Sequence, residues 1–324
     1  MTTLDNINIY YAGELERLNE RIKSRLGTTS SVMSDIVLSM LRTRGKQLRP
    51  LLLMMCARMF GPIDERVIDA AVAVELLHNA SLVHDDVVDA SPTRRGRPTV
   101  NAVWDNHVAV LVGDYFTSAA MQAAIATGDI RIIDSLCKLG RQLSLGEIDQ
   151  IFNARHHSLD KAGYYRIIDY KTASLFVASA EMGCYAASAS DNHRTVLAHF
   201  AKCFGRCFQI RDDVFDYFTS EVVGKPTGND LREGKVTLPL LYALENGPGA
   251  DRAEALGLLE SDCLDDGQIA WLQDFARRSG GVDYAYAEMK ALRDEACAGL
   301  STLPDSPVTA QLADIFDFII ERQY

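Results

Sequence analysis

The chain has 324 residues, with 44 acidic and 33 basic side chains and a net charge of −11. An apolar fraction of 48% beside a charged fraction of 24% excludes a disordered chain. The acidic balance argues against general nucleic-acid binding, which needs a net basic surface. Seven cysteines, odd in number and with no CxxC pair, fit a reducing compartment. The start, MTTLDNINIYYAGELERLNE, lacks the basic and apolar regions of a signal peptide, so a cytoplasmic location is expected.

Ala, Leu, Met, Glu and Arg recur at helical spacing, and alternating β-branched runs are nearly absent, so the expected fold is all-α. Helices are expected over 4–26, 31–42, 50–60, 64–89, 99–127, 129–152, 161–187, 191–218, 230–245, 266–279, 284–300 and 306–322. Glycine and proline mark the breaks, as at Gly61-Pro62, Pro92, Gly128 and Gly247-Pro248. No β-α alternation supports a Rossmann or TIM-barrel fold. Segment 67–83 is apolar on nearly every face, with only Asp69 and Glu75 charged, which places it in the middle of a large bundle. The longest uncharged apolar-leaning stretch, 172–190, is interrupted by Glu181 and reads as a buried helix, not a membrane span. One domain over 1–324 is expected, with 1–29 forming a helix that is peripheral or at a dimer interface. The stretch 246–264 reads as an irregular peripheral connection.

One acidic pattern occurs twice. HDDVVD at 84–89 and RDDVFD at 211–216 both read DDxxD, each closing a long helical segment. On a helix, Asp85, Asp86 and Asp89 occupy one arc about 100° wide, and Asp212, Asp213 and Asp216 are expected to do the same. Like charges this close repel unless something neutralises them. An all-oxygen set suits Mg²⁺, which bridges carboxylates to substrate phosphates. Either motif alone reads as much like a solvated helix end as like a binding site. The cluster Asp262, Asp265 and Asp266, in a polar stretch without basic neighbours, reads by contrast as a solvated loop or cap. Repetition at two helix ends favours a single site built from both.

Basic residues stand beside these motifs. Lys46 and Arg49 lie at the mouth of a helix starting near Pro50, where an anion is favoured. Arg94 and Arg95 follow the first motif, Lys171 and Thr172 open another apolar helix, and Lys225 and Lys235 follow the second motif. Arginine offers bidentate phosphate contacts and lysine a point charge, so the arrangement fits a metal-bridged diphosphate. Each residue taken singly would be an ordinary surface charge. His78 lies about 20° from the helical line of Asp85 and reads equally as a core residue or a ligand contact. His84, about 100° round, reads as structural.

The marks GKQLRP at 45–50, ELLHNASLVHDDVVDASPTRRGRPT at 75–99, KTASLF at 171–176, GRCFQIRDDVFDY at 205–217 and GKPTGNDLREGKVTLPLLYAL at 224–244 form a specific set. On them the chain resembles the trans-isoprenyl diphosphate synthases, or polyprenyl synthetases, over roughly 30–322. It is closest in pattern to long-chain members such as octaprenyl diphosphate synthases. The resemblance implies a homodimeric all-α bundle around a deep central cavity. It implies that Asp85, Asp86, Asp89 and Asp212, with Asp213 and Asp216, bind Mg²⁺, three ions per site with substrate bound. Arg94, Lys171, Lys225 and Lys235 would contact the allylic diphosphate. Lys46, Arg49, His78 and Arg95 would hold isopentenyl diphosphate, and Thr172 and Gln209 would stand near the reacting carbons. The implied reaction ionises the allylic C–O bond, adds the isopentenyl double bond to the cation and loses a proton.

Product length is expected to follow from Ala80 and Ser81, small where short-chain members carry aromatics, with Leu77 further along the wall. A product of about C30–C50, with octaprenyl as the central value, is expected to serve quinone side chains, with transient membrane contact at product release. Two rival readings are a short-chain farnesyl or geranylgeranyl diphosphate synthase and a noncatalytic prenyltransferase-like subunit. A terpene cyclase would need no GKQLRP or Arg94-Arg95. A di-iron bundle would need a second ExxH pair beside Glu75 and His78, and none is evident.

Overall fold

A computed structural model describes residues 3–42, 45–156, 159–218, 227–261 and 263–322; Lys225 and Asp262 lie outside them. The helices, in order, are α1 (Thr3–Tyr10), α2 (Ala12–Arg25), α3 (Ser31–Leu41), α4 (Leu48–Arg58), α5 (Glu65–Val88), α6 (Val100–Val103), α7 (Asn106–Ala126), α8 (Ile130–Arg155), α9 (Lys161–Ile168), α10 (Ser174–Ala186), α11 (Asp191–Phe215) and α12 (Asn229–Arg232). They continue as α13 (Leu238–Asn246), α14 (Gly249–Leu259), α15 (Asp266–Arg278), α16 (Gly281–Leu300) and α17 (Pro307–Glu321). The fold is all-α apart from one antiparallel hairpin, β1 (Thr93–Arg94) and β2 (Arg97–Pro98), in the register Thr93↔Pro98 and Arg94↔Arg97.

Most expected helices are present, and the departures have local causes. Tyr11 separates α1 from α2, and Trp104 and Asp105 separate α6 from α7; Asp105 caps α7 by accepting from Val108 N at 2.8 Å. The expected helix over 230–245 is two helices, α12 and α13. The stretch 246–264, expected to be irregular, contains α14. The hairpin replaces an expected loop because Arg95 (φ 52°) and Gly96 (φ 72°) are both left-handed, as a tight two-residue turn requires. Asp265 is indeed a cap: it accepts from Gln268 N while the Gln268 side chain accepts from Asp265 N.

The chain divides into two compact units. The first comprises Met1–Gly140, Leu175–Ala198 and Leu303–Gln311. Its centre is α5, buried along most of its length and packed against α2, α4 and α7. Asp69, buried in that apolar helix, is held by Arg21 (2.7 Å) and Arg25 (3.2 Å) of α2. A buried carboxylate left without partners costs about 3–5 kcal/mol, so α2 is tied into this core. Leu4, Ile7, Tyr11, Leu18 and Ile22 of the N-terminal segment are buried with it. Close helix approaches need glycine twice: a Cβ on Gly183 would meet Leu53 O at 2.4 Å, and one on Gly113 would meet the His84 ring at 2.1 Å. By length and composition α5 and α7 could each cross a membrane, but 78% of the apolar window of α5 is buried inside the protein.

The second unit comprises Arg141–Ser174, His199–Thr302 and Leu312–Tyr324. Phe200, Phe204 and Phe316 form an edge-to-face core, with Phe316 5.7 Å and 5.5 Å from the other two rings. Helices α13, α15 and α16 pack beside one another in this unit.

Candidate active site

The first acidic motif sits at the C-terminal end of α5. The helix continues through Val88 with Asp89 as its cap residue, and Asp89 N donates to Asp85 O at 2.8 Å. Asp85 and Asp89 therefore stand one turn apart, as the spacing predicts. Asp86 is buried and accepts from Arg94 Nε of the hairpin at 2.7 Å. Burial pushes the Asp86 carboxyl up against the pull of that guanidinium. Arg94 is thus the counter-ion of the buried carboxylate, while Asp85 is half-buried and Asp89 exposed.

Three backbone positions around this motif are left-handed without being glycine: Gln47 (φ 48°), Ala90 (φ 48°) and Arg95 (φ 52°). Each such residue costs of order 1 kcal/mol, and such strain gathers at binding sites. Gln47 is the N-cap residue of α4 and starts the GKQLRP segment into helix. Arg95 packs so closely on Gly45 that a Cβ there would meet its guanidinium at 2.6 Å. Arg49 lies over the Phe176 ring at 4.9 Å. His78 and Glu75 are buried, with His78 Nδ1 and Glu75 Oε2 making no hydrogen bond. Burial, then the nearby Arg49, Arg95 and Arg94, hold His78 well below its ordinary pKa. Burial likewise pushes Glu75 up, against Arg49 and Arg95. Arg49, Arg94 and Arg95 therefore surround a neutral His78 in the first unit. The Nε2 of His84 lies 3.2 Å from Val110 O, and its ring packs on Gly113.

The second motif departs from the expected arc. Helix α11 ends at Phe215 with a tightened turn in which Asp216 N donates to Asp213 O at 3.1 Å. Asp216 turns away and accepts from the N–H groups of Asn229 and Asp230, both at 3.1 Å, at the start of α12. Asp213 is buried and accepts from Tyr164 OH (2.6 Å) and Gln209 Nε2 (2.8 Å). Burial pushes its carboxyl up to about 7. Asp212 is ion-paired with Arg322 at 2.6 Å. All three carboxylates of this motif are thus engaged, Asp212 by Arg322, Asp213 by Tyr164 and Gln209, and Asp216 by the start of α12.

Lys171 and Thr172 do not open a helix. They lie on a π-helical turn, Asp169–Ala173, inside the continuous run from Lys161 to Ala186. Such turns insert one extra residue and recur at functional sites. Here the turn is seated on Gly146 of α8, where a Cβ would meet Tyr170 Cβ at 2.8 Å and Lys171 Cγ at 2.9 Å. Lys171 pairs with Glu147 and donates to Gln150 Oε1 at 3.1 Å. Thr172 donates to Gln209 Oε1 at 2.6 Å, which completes a chain from Thr172 through Gln209 to Asp213 and Tyr164. A cavity of about 230 Å³ in this unit is lined by Lys171, Thr172, Gln209, Asp213 and Lys235 together with Tyr164 and Asp230. Lys235 pairs with Glu233. Burial raises Asp230, with Asp213 and Asp216 adding to the shift. Tyr164 and Asp230 were not anticipated from the motifs. Asp230 lies inside the quoted GNDLREGK segment, whereas nothing around Tyr164 signals its role.

The residues expected to set product length differ in exposure. Ala80 and Leu77 are buried, while Ser81 is half-buried and donates to His78 O at 2.9 Å. The oxygen donors of both motifs fit a hard divalent ion such as Mg²⁺. Among the described residues neither motif gathers three carboxylate oxygens within 4.8 Å of one another.

An all-α bundle in which acidic helix ends are accompanied by arginine and lysine clusters defines an isoprenoid-synthase type of enzyme. The chain belongs to the polyprenyl synthetase family, whose pattern matches residues 30–274. It is 34% identical over 317 residues to heptaprenyl diphosphate synthase component 2 of Geobacillus stearothermophilus, covering 97% of this chain and 98% of that one. The crystal structure of a decaprenyl diphosphate synthase from Rhodobacter capsulatus superposes with a TM-score of 0.91 at 32% identity, covering 99% of each chain. That of a geranylgeranyl pyrophosphate synthase from Bacteroides thetaiotaomicron gives 0.85 at 33%, again over 99% of each. The protein is therefore a trans-prenyltransferase, an enzyme that condenses isoprenyl diphosphates, in a family that is generally Mg²⁺-dependent.

Proposed function

We propose that the chain is an all-trans polyprenyl diphosphate synthase. It adds isopentenyl diphosphate repeatedly to an allylic diphosphate, ends at about C30–C50 with octaprenyl as the central product, and feeds quinone side-chain synthesis. The observation that carries the chain length is Ser81. It is small, only half-buried, and one turn before Asp85, where a bulky ring would stop the growing tail. The heptaprenyl and decaprenyl relatives fall in the same range.

Asp85, Asp86, Asp89 and Asp212 would hold Mg²⁺, three ions with substrate bound, supported by Asp213 and Asp216, and such ions would supply positive charge to offset that of the diphosphate leaving group. Arg94, Lys171, Lys225 and Lys235 bind the allylic diphosphate and take up charge as its C–O bond breaks. Lys46, Arg49, His78 and Arg95 hold the diphosphate of the isopentenyl substrate, with His78 neutral. Thr172 and Gln209, locked to each other, steady the positive charge on the allylic carbon. The isopentenyl double bond forms the new C–C bond, and the proton lost passes to the released diphosphate. Exclusion of water protects the cation.

The enzyme works in the cytoplasm as a homodimer and touches the membrane only to release product. Leu111, Met121 and Ile125, 67%, 49% and 61% exposed on one side of α7, support a second copy as the occupant of that surface. The deciding experiment is chromatography of products made from radiolabelled isopentenyl diphosphate with Mg²⁺ and several allylic primers. Products of about C30–C50 support the proposal, and an endpoint at C15 or C20 defeats it in favour of a short-chain enzyme. The Bacteroides likeness makes that the second reading, since the fold alone does not separate the two. No product with any primer would point to a noncatalytic prenyltransferase-like subunit.

A further inference from the structure

Apart from the diphosphate machinery, three unlike donors meet at one point of the second unit. His199 and Cys203 stand one turn apart on α11, and Glu295 of α16 reaches the same place. Cys203 Sγ lies 3.8 Å from His199 Nε2, which lies 3.0 Å from a Glu295 carboxylate oxygen. All three donor atoms fall within 4.8 Å of one another. Donors held at about 2.0–2.3 Å from one tetrahedral ion have a spread of this kind. Imidazole, thiol and carboxylate form a borderline-soft set that selects Zn²⁺ over an oxygen-seeking ion such as Mg²⁺. Cys203 is buried, whereas the His199 and Glu295 side chains are half in solvent, so an ion has a way in and room for water.

We propose that His199, Cys203 and Glu295 bind one Zn²⁺, with water as the fourth ligand, and that the ion clips α11 to α16. The thiol, which burial pushes up to about 11, gives its proton to solvent as the metal–sulfur bond forms. Besides Glu295, the charged groups near it are Asp169, Lys202 and Arg206. Asp169 is engaged by both cations, at 3.3 Å from Lys202 and 2.6 Å from Arg206, and does not compete for the ion. Cys203 precedes Asp212 by nine residues, about 14 Å along the helix, so the clip is separate from the aspartate motif. It stiffens the helix that carries that motif without joining the chemistry.

The test uses the purified full chain stripped with a chelator. Co²⁺ added alone should bind at one equivalent and give a thiolate-to-cobalt absorption band. A hundredfold excess of Zn²⁺ over its Kd should raise the unfolding temperature by about 3–5 °C. Cys203→Ser should abolish the band and the shift while leaving Mg²⁺-dependent turnover unchanged. Should that variant not fold, the exposed changes His199→Ala and Glu295→Gln serve in its place. No thiolate band in the unmodified chain, or a Zn²⁺ shift that survives these substitutions, would overturn the proposal. Zn²⁺ bound only by the aspartate motifs would show itself in that second way.

Discussion

His78 is buried among guanidinium groups, and both features favour its neutral form. Its folded pKa lies below the ordinary 6.5, so below that pH the unfolded chain takes up a proton that the folded chain refuses. The stability linked to neutral His78 is complete above pH 6.5 and is lost as the pH falls beneath it. Denaturant midpoints measured from pH 8 to pH 5 should therefore drop on the acid side, and His78→Gln should flatten the drop. An unchanged acid limb in the variant would assign the loss to other groups. Ser81 makes a second residue-scale prediction. Ser81→Phe puts a ring on the helical line of Asp85 and should shorten the product by several isoprene units, read by the same chromatography. A product distribution identical to that of the unmodified chain would show that this face is not the growth path.

At the scale of elements, the π-helical turn governs where Lys171 and Thr172 point. Gly146→Ala drives a Cβ into Tyr170 and Lys171, both under 3 Å away. Overpacking of this kind costs about 1–3 kcal/mol, and it should lower kcat as well, because the Thr172–Gln209 contact depends on the seat of the turn. Equilibrium unfolding and steady-state kinetics on the variant check both; unchanged values would mean that the turn tolerates the displacement. Nothing in the composition of DYKTA announces a π turn, which is an outcome of packing against Gly146. The first acidic motif was legible because α5 stays helical through Val88, so counting residues gave the true angles. The second was legible only in part. Its last carboxylate is drawn away by the N–H groups of Asn229 and Asp230, thirteen and fourteen residues later in the chain. The Arg95-Gly96 turn illustrates the same limit, since a helix-rich context hid a hairpin whose only sign was one glycine. The basic residues beside the first motif were legible as residue types, but the pairing of Arg94 with Asp86 needed coordinates.

For the whole molecule, the exposed apolar face of α7 is the feature to test. A second copy would cover Leu111, Met121 and Ile125 by a two-fold contact in which the same patch serves both chains. Leu111→Glu combined with Ile125→Glu should turn a dimer into a monomer in light scattering coupled to size exclusion, with the helical spectrum retained. A monomer before substitution would remove the case for self-association, and a dimer after it would move the interface elsewhere. The all-α class, the central place of α5 and most helix limits followed from patterning alone, since apolar periodicity survives packing. The division into two compact units did not, because each unit gathers segments far apart in the chain.

Ala90 sits directly after Asp89 in a backbone conformation that glycine adopts cheaply and alanine does not, with only a methyl group attached. A laboratory selection for heat tolerance alone would drift toward glycine there, trading torsional tension for endurance. The same exchange would loosen the backbone beneath an exposed carboxylate. If the carboxylate of Asp89 needs a stiff support, robustness and turnover would be set against each other at Ala90.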